Sequence, residues 1–146
     1  MSRARARLLH LGPPGLALLC LAPALGAGFV HDDTTQILAN PWVRDLRHLP
    51  TLFTTSVWSG LGGDSSWYRP LMMGSFAVEH ALFGFAPAAF HAVSLAWFAA
   101  LVAVVVRAVR DEGEALGAAA LAGALVAVHP VNVESAVWIS ARGDLQ

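Results

Sequence analysis

Uncharged blocks separated by polar punctuation organise this chain. Residues 8–30 form a run of 23 without a formal charge, behind Arg3, Arg5 and Arg7. As a helix rising about 1.5 Å per residue, such a run reaches roughly 34 Å and spans a bilayer core. Gly12-Pro13-Pro14-Gly15 predicts a bend or break in it, because proline removes a backbone donor and crowds the preceding turn. A cleaved signal peptide is the rival reading, since Ala22-Pro23-Ala24 has small-residue character behind a basic region. Residues 88–106 give the clearest span: of 19 residues only His91 and Ser94 are polar, and Arg107 and Arg110 follow. Residues 115–131 give a third, 17 residues dominated by Ala, Gly, Leu and Val, near the lower limit for a crossing. Ala119 with Gly123, and Ala120 with Ala124, place small residues four apart, so a neighbouring backbone can approach closely.

Residues 31–87 separate the first two spans, and within them residues 70–84 are apolar apart from a few positions. Glu79 and His80 fall near their centre, where a charge in hydrocarbon costs at least about 2.5 to 3.5 kcal/mol. The segment therefore reads as an amphipathic helix lying at the membrane interface. Arginine placement agrees. With that helix flat, Arg3, Arg5, Arg7, Arg107 and Arg110 all fall on the cytoplasmic side, and only Arg44, Arg47 and Arg69 lie in the outer loop. Trp42, Trp58 and Trp67 in the same loop suit a segment that skims headgroups. The expected topology has the N-terminus and residues 107–114 inside, and residues 31–87 and 129 onward outside.

Composition sharpens this all-α membrane reading. The 146 residues are 56% hydrophobic and only 13% charged, well below the roughly 25% that covers a soluble domain. Nine basic residues, all arginine, against ten acidic ones leave a net charge of −1, which excludes an electrostatic nucleic-acid binder. A single cysteine, Cys20, allows no disulfide framework and no cysteine-based zinc site. No glycine-rich phosphate loop, nucleophile elbow, HExxH or CxxC occurs, so soluble hydrolase, NTPase and redox classes have no support.

Three polar sites converge on the outer face under this topology. His31-Asp32-Asp33 follows the first span, and its carboxylates suit a general base or a ligand of a hard divalent cation, or else a helix cap. In an extended stretch at most one of the two would face a given substrate. Trp67-Tyr68-Arg69-Pro70 puts Arg69 beside a helix N-terminus, with proline suited to the first turn, and offers donors to a phosphate or a lipid headgroup. His129-Pro130-Val131-Asn132-Val133-Glu134 continues to Trp138, Arg142 and Asp144. A continuous helix past Pro130 would align Glu134, Trp138 and Arg142 on one face. A different class also fits these residues: a non-catalytic polytopic subunit in which His129 and Glu134 line a polar pathway.

Five segments in one order carry a family likeness. They are Phe29-Val30-His31-Asp32-Asp33, Tyr68-Arg69-Pro70-Leu71, Phe90-His91-Ala92-Val93, His129 to Val137, and Ala141-Arg142-Gly143-Asp144-Leu145. In this succession the chain resembles the N-terminal part of the transmembrane and TPR-repeat O-mannosyltransferases and their bacterial TPR-containing membrane relatives. The resemblance implies a GT-C type polytopic bundle with a juxtamembrane helix in its first extracytoplasmic loop. It also implies a multi-pass protein of the bacterial inner membrane or the endoplasmic reticulum. The donor would be a sugar on a polyprenyl or dolichyl phosphate, and the acceptor a hydroxyl of a protein or glycan. By the same resemblance Asp32 or Asp33 is the catalytic base; for the departing donor phosphate Arg69 and Arg142 are the best donors in the chain, with His129 a weaker third. Glu134, Asp144 and Tyr68 take supporting roles. His31 stands where the motif usually has an aromatic residue, and Arg142-Gly143-Asp144 reorders a Gly-Arg-x-Asp-like pattern. The further helices and TPR repeats of such proteins have no counterpart in these residues, so the resemblance implies an N-terminal fragment, inactive by itself.

Overall fold

The computed structural model describes residues 2–63 and 65–146, which are helical, with no strand among them. Helix α1 (Arg3–Leu21) starts where the Ser2 hydroxyl accepts from the Arg5 amide at 3.3 Å. It runs unbroken through Pro13 and Pro14 and ends in a 3₁₀ turn, Ala22–Gly26. The break expected at the proline pair is therefore absent. Pro13 is buried in the bundle next to Gly123, where the missing side chain leaves room for the ring. Thr34–Ala39 form a π-helical turn, and Leu49–Leu52 a short helix, α2.

Helix α3 (Pro70–Phe83) begins with proline in its first turn and stops at Gly84, whose φ of +60° suits a residue without Cβ. Helix α4 (Pro87–Asp111) again starts at proline, and runs five residues beyond the uncharged run because Arg107 pairs with Asp111 one turn on, at 2.8 Å. Gly113, at φ +89°, turns the chain into α5 (Leu116–Val128). The last helix, α6 (Asn132–Val137), gives way to a 3₁₀ helix over Ile139–Asp144.

Helices α1, α4 and α5 pack on one another as a three-helix bundle. Its core joins Ala17, Phe98, Val102, Ala127 and Ala136. Its outer surface is apolar as well, with Leu8, Leu11 and Leu19 of α1, Val104 of α4, and Leu121 and Leu125 of α5 exposed. That inside-and-out apolarity suits lipid as solvent. Two helical stretches, Arg3–Gly26 and Pro87–Asp111, are long and apolar enough to cross a membrane. The third expected span is shorter than its sequence run. α5 has 13 residues, about 20 Å of helix, because His129 leaves helical geometry before Pro130.

Residues 31–63, 65–86 and 132–144 build a cap over one end of the bundle, around a second core that includes Ile37, Val43, Met72, Met73, Phe76, Phe90 and Ile139. α3 belongs to this cap. It meets α4 over a much shorter stretch than α1 and α5 do, so it does not run alongside α4 as a further bundle member.

Gly123 marks a close approach within the bundle. A Cβ there would lie 2.4 Å from Val106 Cγ2 and 3.1 Å from Pro13 Cβ. Gly123→Val should therefore destabilise the bundle by about 1–3 kcal/mol through overpacking. Thermal unfolding in detergent reads the effect, and an unchanged midpoint would mean the three helices part easily at this level.

Candidate active site

The site is built where α1 hands over to the cap. His31 sits at φ +47°, a left-handed conformation uncommon outside glycine, and turns the chain sharply after Val30. Asp32 and Asp33 then enter the first turn of the cap, not an extended stretch, and their environments diverge. Asp33 is fully buried. Its Oδ2 accepts from the Val30 amide at 3.0 Å, and its Oδ1 from the amide and hydroxyl of Ser140 at 2.8 and 2.6 Å. Asp32 is half-buried, and its Oδ2 accepts from Gln36 Nε2 at 3.3 Å, across one turn.

Asp32 lines a cavity of about 250 Å³ together with Gln36, Trp58, Trp67, Arg69, Glu134, Trp138 and Asp144. Arg69 is placed at the N-cap of α3. Its guanidinium lies over the Trp67 ring at 5.0 Å and donates to Asp144 Oδ1 at 2.8 Å. Gly143 permits this, since a Cβ there would come within 2.7 Å of the Arg69 side chain. The cavity thus gathers three carboxylates and one guanidinium. Among the described residues no three His, Cys, Asp or Glu side chains are grouped to hold a metal ion.

Of the residues singled out in the sequence, Asp32, Arg69, Glu134 and Asp144 come together here. Asp33 does not line the cavity; it ties the turn after Val30 to the 3₁₀ helix Ile139–Asp144. Tyr68 also stays off the wall, with an exposed ring whose hydroxyl donates to the Phe53 carbonyl at 2.6 Å. His129 is exposed on a separate depression beside Cys20 and Phe98, and its Nδ1 accepts from the Val131 amide at 3.2 Å. It is not among the residues that line the cavity.

Arg142 needs a larger correction. The continuous helix that would have aligned it with Glu134 and Trp138 is interrupted at Trp138, which is extended at φ −75°, ψ 116°. That break frees the Ser140 amide for Asp33 and swings Arg142 into the core, where it is fully buried. Its Nη1 donates to Glu79 Oε1 and to Ser75 Oγ, the latter at 3.1 Å. Nη2 donates to Glu79 Oε2 at 3.1 Å and to the Phe90 carbonyl at 2.7 Å, and Nε to Ser94 Oγ at 3.0 Å. All five N–H groups are taken, so none is left for a phosphate. Burial raises the Glu79 carboxyl's pKa, against the opposing pull of Arg142 and the Ser75 hydroxyl. The ion pair is held in the core by complete hydrogen bonding in spite of that desolvation.

Two polar contributors were not singled out from the sequence, Ser140 and Gln36. Gln36 carries a readable signal, its i+4 spacing from Asp32 in a helical turn. Ser140 carries none, because its partner lies 107 residues away.

No family model matches the chain, and no solved structure matches it. Curated relatives do. The chain is 36% identical over 142 residues to "Protein O-mannosyl-transferase Tmtc2" of Drosophila melanogaster, covering 89% of this chain and 14% of that protein. It is 36% identical over 137 residues to "Protein O-mannosyl-transferase TMTC1" of Mus musculus, covering 90% and 14%. For "Protein O-mannosyl-transferase TMTC1" of Homo sapiens the identity is 34% over 137 residues, covering 90% and 15%. The chain spans about one-seventh of the length of these relatives. Over nine-tenths of its own length, then, the chain is a homologue of the TMTC protein O-mannosyl-transferases.

Proposed function

We propose that this chain forms part of a membrane glycosyltransferase that moves a mannosyl or similar hexosyl group from a polyprenyl- or dolichyl-phosphate donor to an acceptor hydroxyl on the extracytoplasmic side. One observation carries the reading: Asp32, from the first turn of the cap, and Arg69, from the start of α3, line one cavity at the end of an apolar bundle. Asp32 takes the proton of the acceptor hydroxyl as its oxygen attacks the anomeric carbon. The bond from that carbon to the phosphate oxygen breaks, the electron pair leaves with the phosphate, and configuration inverts. An alcohol is a weak nucleophile at neutral pH, so a positioned carboxylate is what the step needs.

Arg69 faces the departing phosphate and exchanges part of its contact with Asp144 for phosphate oxygens. The bundle spans the membrane with the N-terminus and residues 107–114 on the cytoplasmic face, which places the cap at the outer headgroups. Donor phosphate and cavity then share one level.

The test is sugar transfer by the longer protein, with a mannosyl-phosphoryl lipid as donor and a hydroxyl-bearing peptide as acceptor. Arg69→Gln should raise the donor KM about 10- to 100-fold through loss of one charge-assisted contact. Absence of transfer from any lipid-phosphate sugar would overturn the function, and an unchanged donor KM in the variant would remove Arg69 from the phosphate site.

A further inference from the structure

Two residues that line the cavity, Gln36 and Trp138, each carry a buried polar atom with no protein partner. Gln36 is 6% exposed, and its Oε1 meets no donor; the indole Nε1 of Trp138 is likewise buried without an acceptor. A buried polar atom left unpaired costs about 1–3 kcal/mol, so a guest in the cavity that both residues line gains by drawing the two atoms out to it. The Gln36 amide orientation is fixed by its neighbour: Nε2 donates to Asp32 Oδ2 at 3.3 Å, and an oxygen in that place would face a carboxylate without a proton between them. Oε1 is therefore the atom left over. Trp138 is fixed in turn by the extended kink after α6 and by the His31 ring, edge-on at 6.1 Å.

An unpaired acceptor and an unpaired donor on residues that line one cavity match groups that both give and take a hydrogen bond. A hydroxyl does this. A phosphate oxygen only accepts, and is repelled by Gln36 Oε1 and by the carboxylates of Asp32 and Glu134 on the same cavity. The indole of Trp58 adds an apolar surface of the kind that covers the C–H face of a pyranose. Resting on the glycosyltransferase reading above, we infer that Gln36 and Trp138 are the specificity-determining residues that read hydroxyl groups of the sugar ring. Gln36 Oε1 accepts from one hydroxyl and Trp138 Nε1 donates to one. The Asp32–Gln36 side of the cavity is the sugar side, and the Arg69–Asp144 side is the phosphate side.

Saturation-transfer NMR on the detergent-solubilised 146-residue chain tests this, with methyl α-mannoside as the probe and its deoxy analogues as comparison. Ring-proton signals are expected with the unaltered chain. Trp138→Phe, which keeps an aromatic ring and removes the N–H, and Gln36→Leu should each raise the apparent Kd about 5- to 30-fold. Circular dichroism checks that both variants remain folded, and Arg107→Gln at the far end of α4 serves as a control. In each variant one deoxy analogue should bind as well as the parent sugar, because the deleted hydroxyl no longer has a partner to lose. Equal Kd values in the unaltered chain and both variants, or no signal from the unaltered chain, overturn the inference. The two readings fail separately. Transfer by the longer protein with sugar binding indifferent to Gln36 and Trp138 sinks the inference alone, whereas hydroxyl-selective binding without transfer from any donor sinks the transferase reading alone.

Discussion

Asp32→Asn is expected to lower sugar transfer by the longer protein about 10²- to 10⁴-fold, the contribution of a general base, without changing thermal stability. Among the described residues its carboxylate has one side-chain partner, Gln36 Nε2, and an amide oxygen can still accept from it. Asp33→Asn should do the reverse. Three donors converge on the Asp33 carboxylate, from Val30 and Ser140, and an amide in its place turns an NH₂ toward one of them in either orientation. The cost is about 1–3 kcal/mol of stability, visible as a lower unfolding midpoint, with activity falling only as far as the tether to Ser140 loosens. Loss of transfer in Asp33→Asn at unchanged stability, with transfer retained in Asp32→Asn, would exchange the two roles.

The largest effect on stability should come from the buried ion pair. Arg142→Ala leaves the Glu79 carboxylate in the core without its guanidinium, and removing one member of such a pair costs about 3–5 kcal/mol. Arg142→Lys rescues little, because an ammonium cannot reach Glu79, Ser75, Ser94 and the Phe90 carbonyl with one planar fork. The double substitution Glu79→Leu with Arg142→Met should regain most of the loss, since it removes both charges together. Chemical unfolding in detergent measures all three. If Arg142→Ala unfolds at the same denaturant concentration as the unaltered chain, the pair is a bystander and the cap is held by its apolar core alone.

The elements with strong local signals were legible in the sequence. Proline in the first turn marks the start of α3, and the uncharged run with its following arginines marks α4. The cavity was legible in part: Asp32, Arg69, Glu134 and Asp144 belong to segments whose order carries the family likeness, and they do meet. Arg142 was misplaced because a one-residue extension at Trp138 outweighs helical periodicity, and the reward for it, Glu79, lies 63 residues back. Glu79 itself was read as a reason for α3 to avoid hydrocarbon, and its buried partner carries no local signature. His129 lies away from that cavity. A histidine before a proline at the end of an apolar run looks functional, yet its ring is used locally, on the Val131 amide.

The 3₁₀ helix Ile139–Asp144 also sets an order of events during synthesis. Ser140, Arg142 and Asp144 clip, respectively, Asp33, Glu79 and Arg69, over 107, 63 and 75 residues of chain. A ribosome adding about 5–20 residues per second leaves Asp33 waiting for Ser140 for about 5 to 20 seconds. During that interval Asp33 lacks two of its three donors, Glu79 once made has no guanidinium partner, and the wall of the cavity that bears Trp138 does not exist. Translation pausing shortly before codon 139 would prolong the life of this half-built cap, and the quality-control machinery would meet it as an exposed apolar surface ringed by unpaired acids.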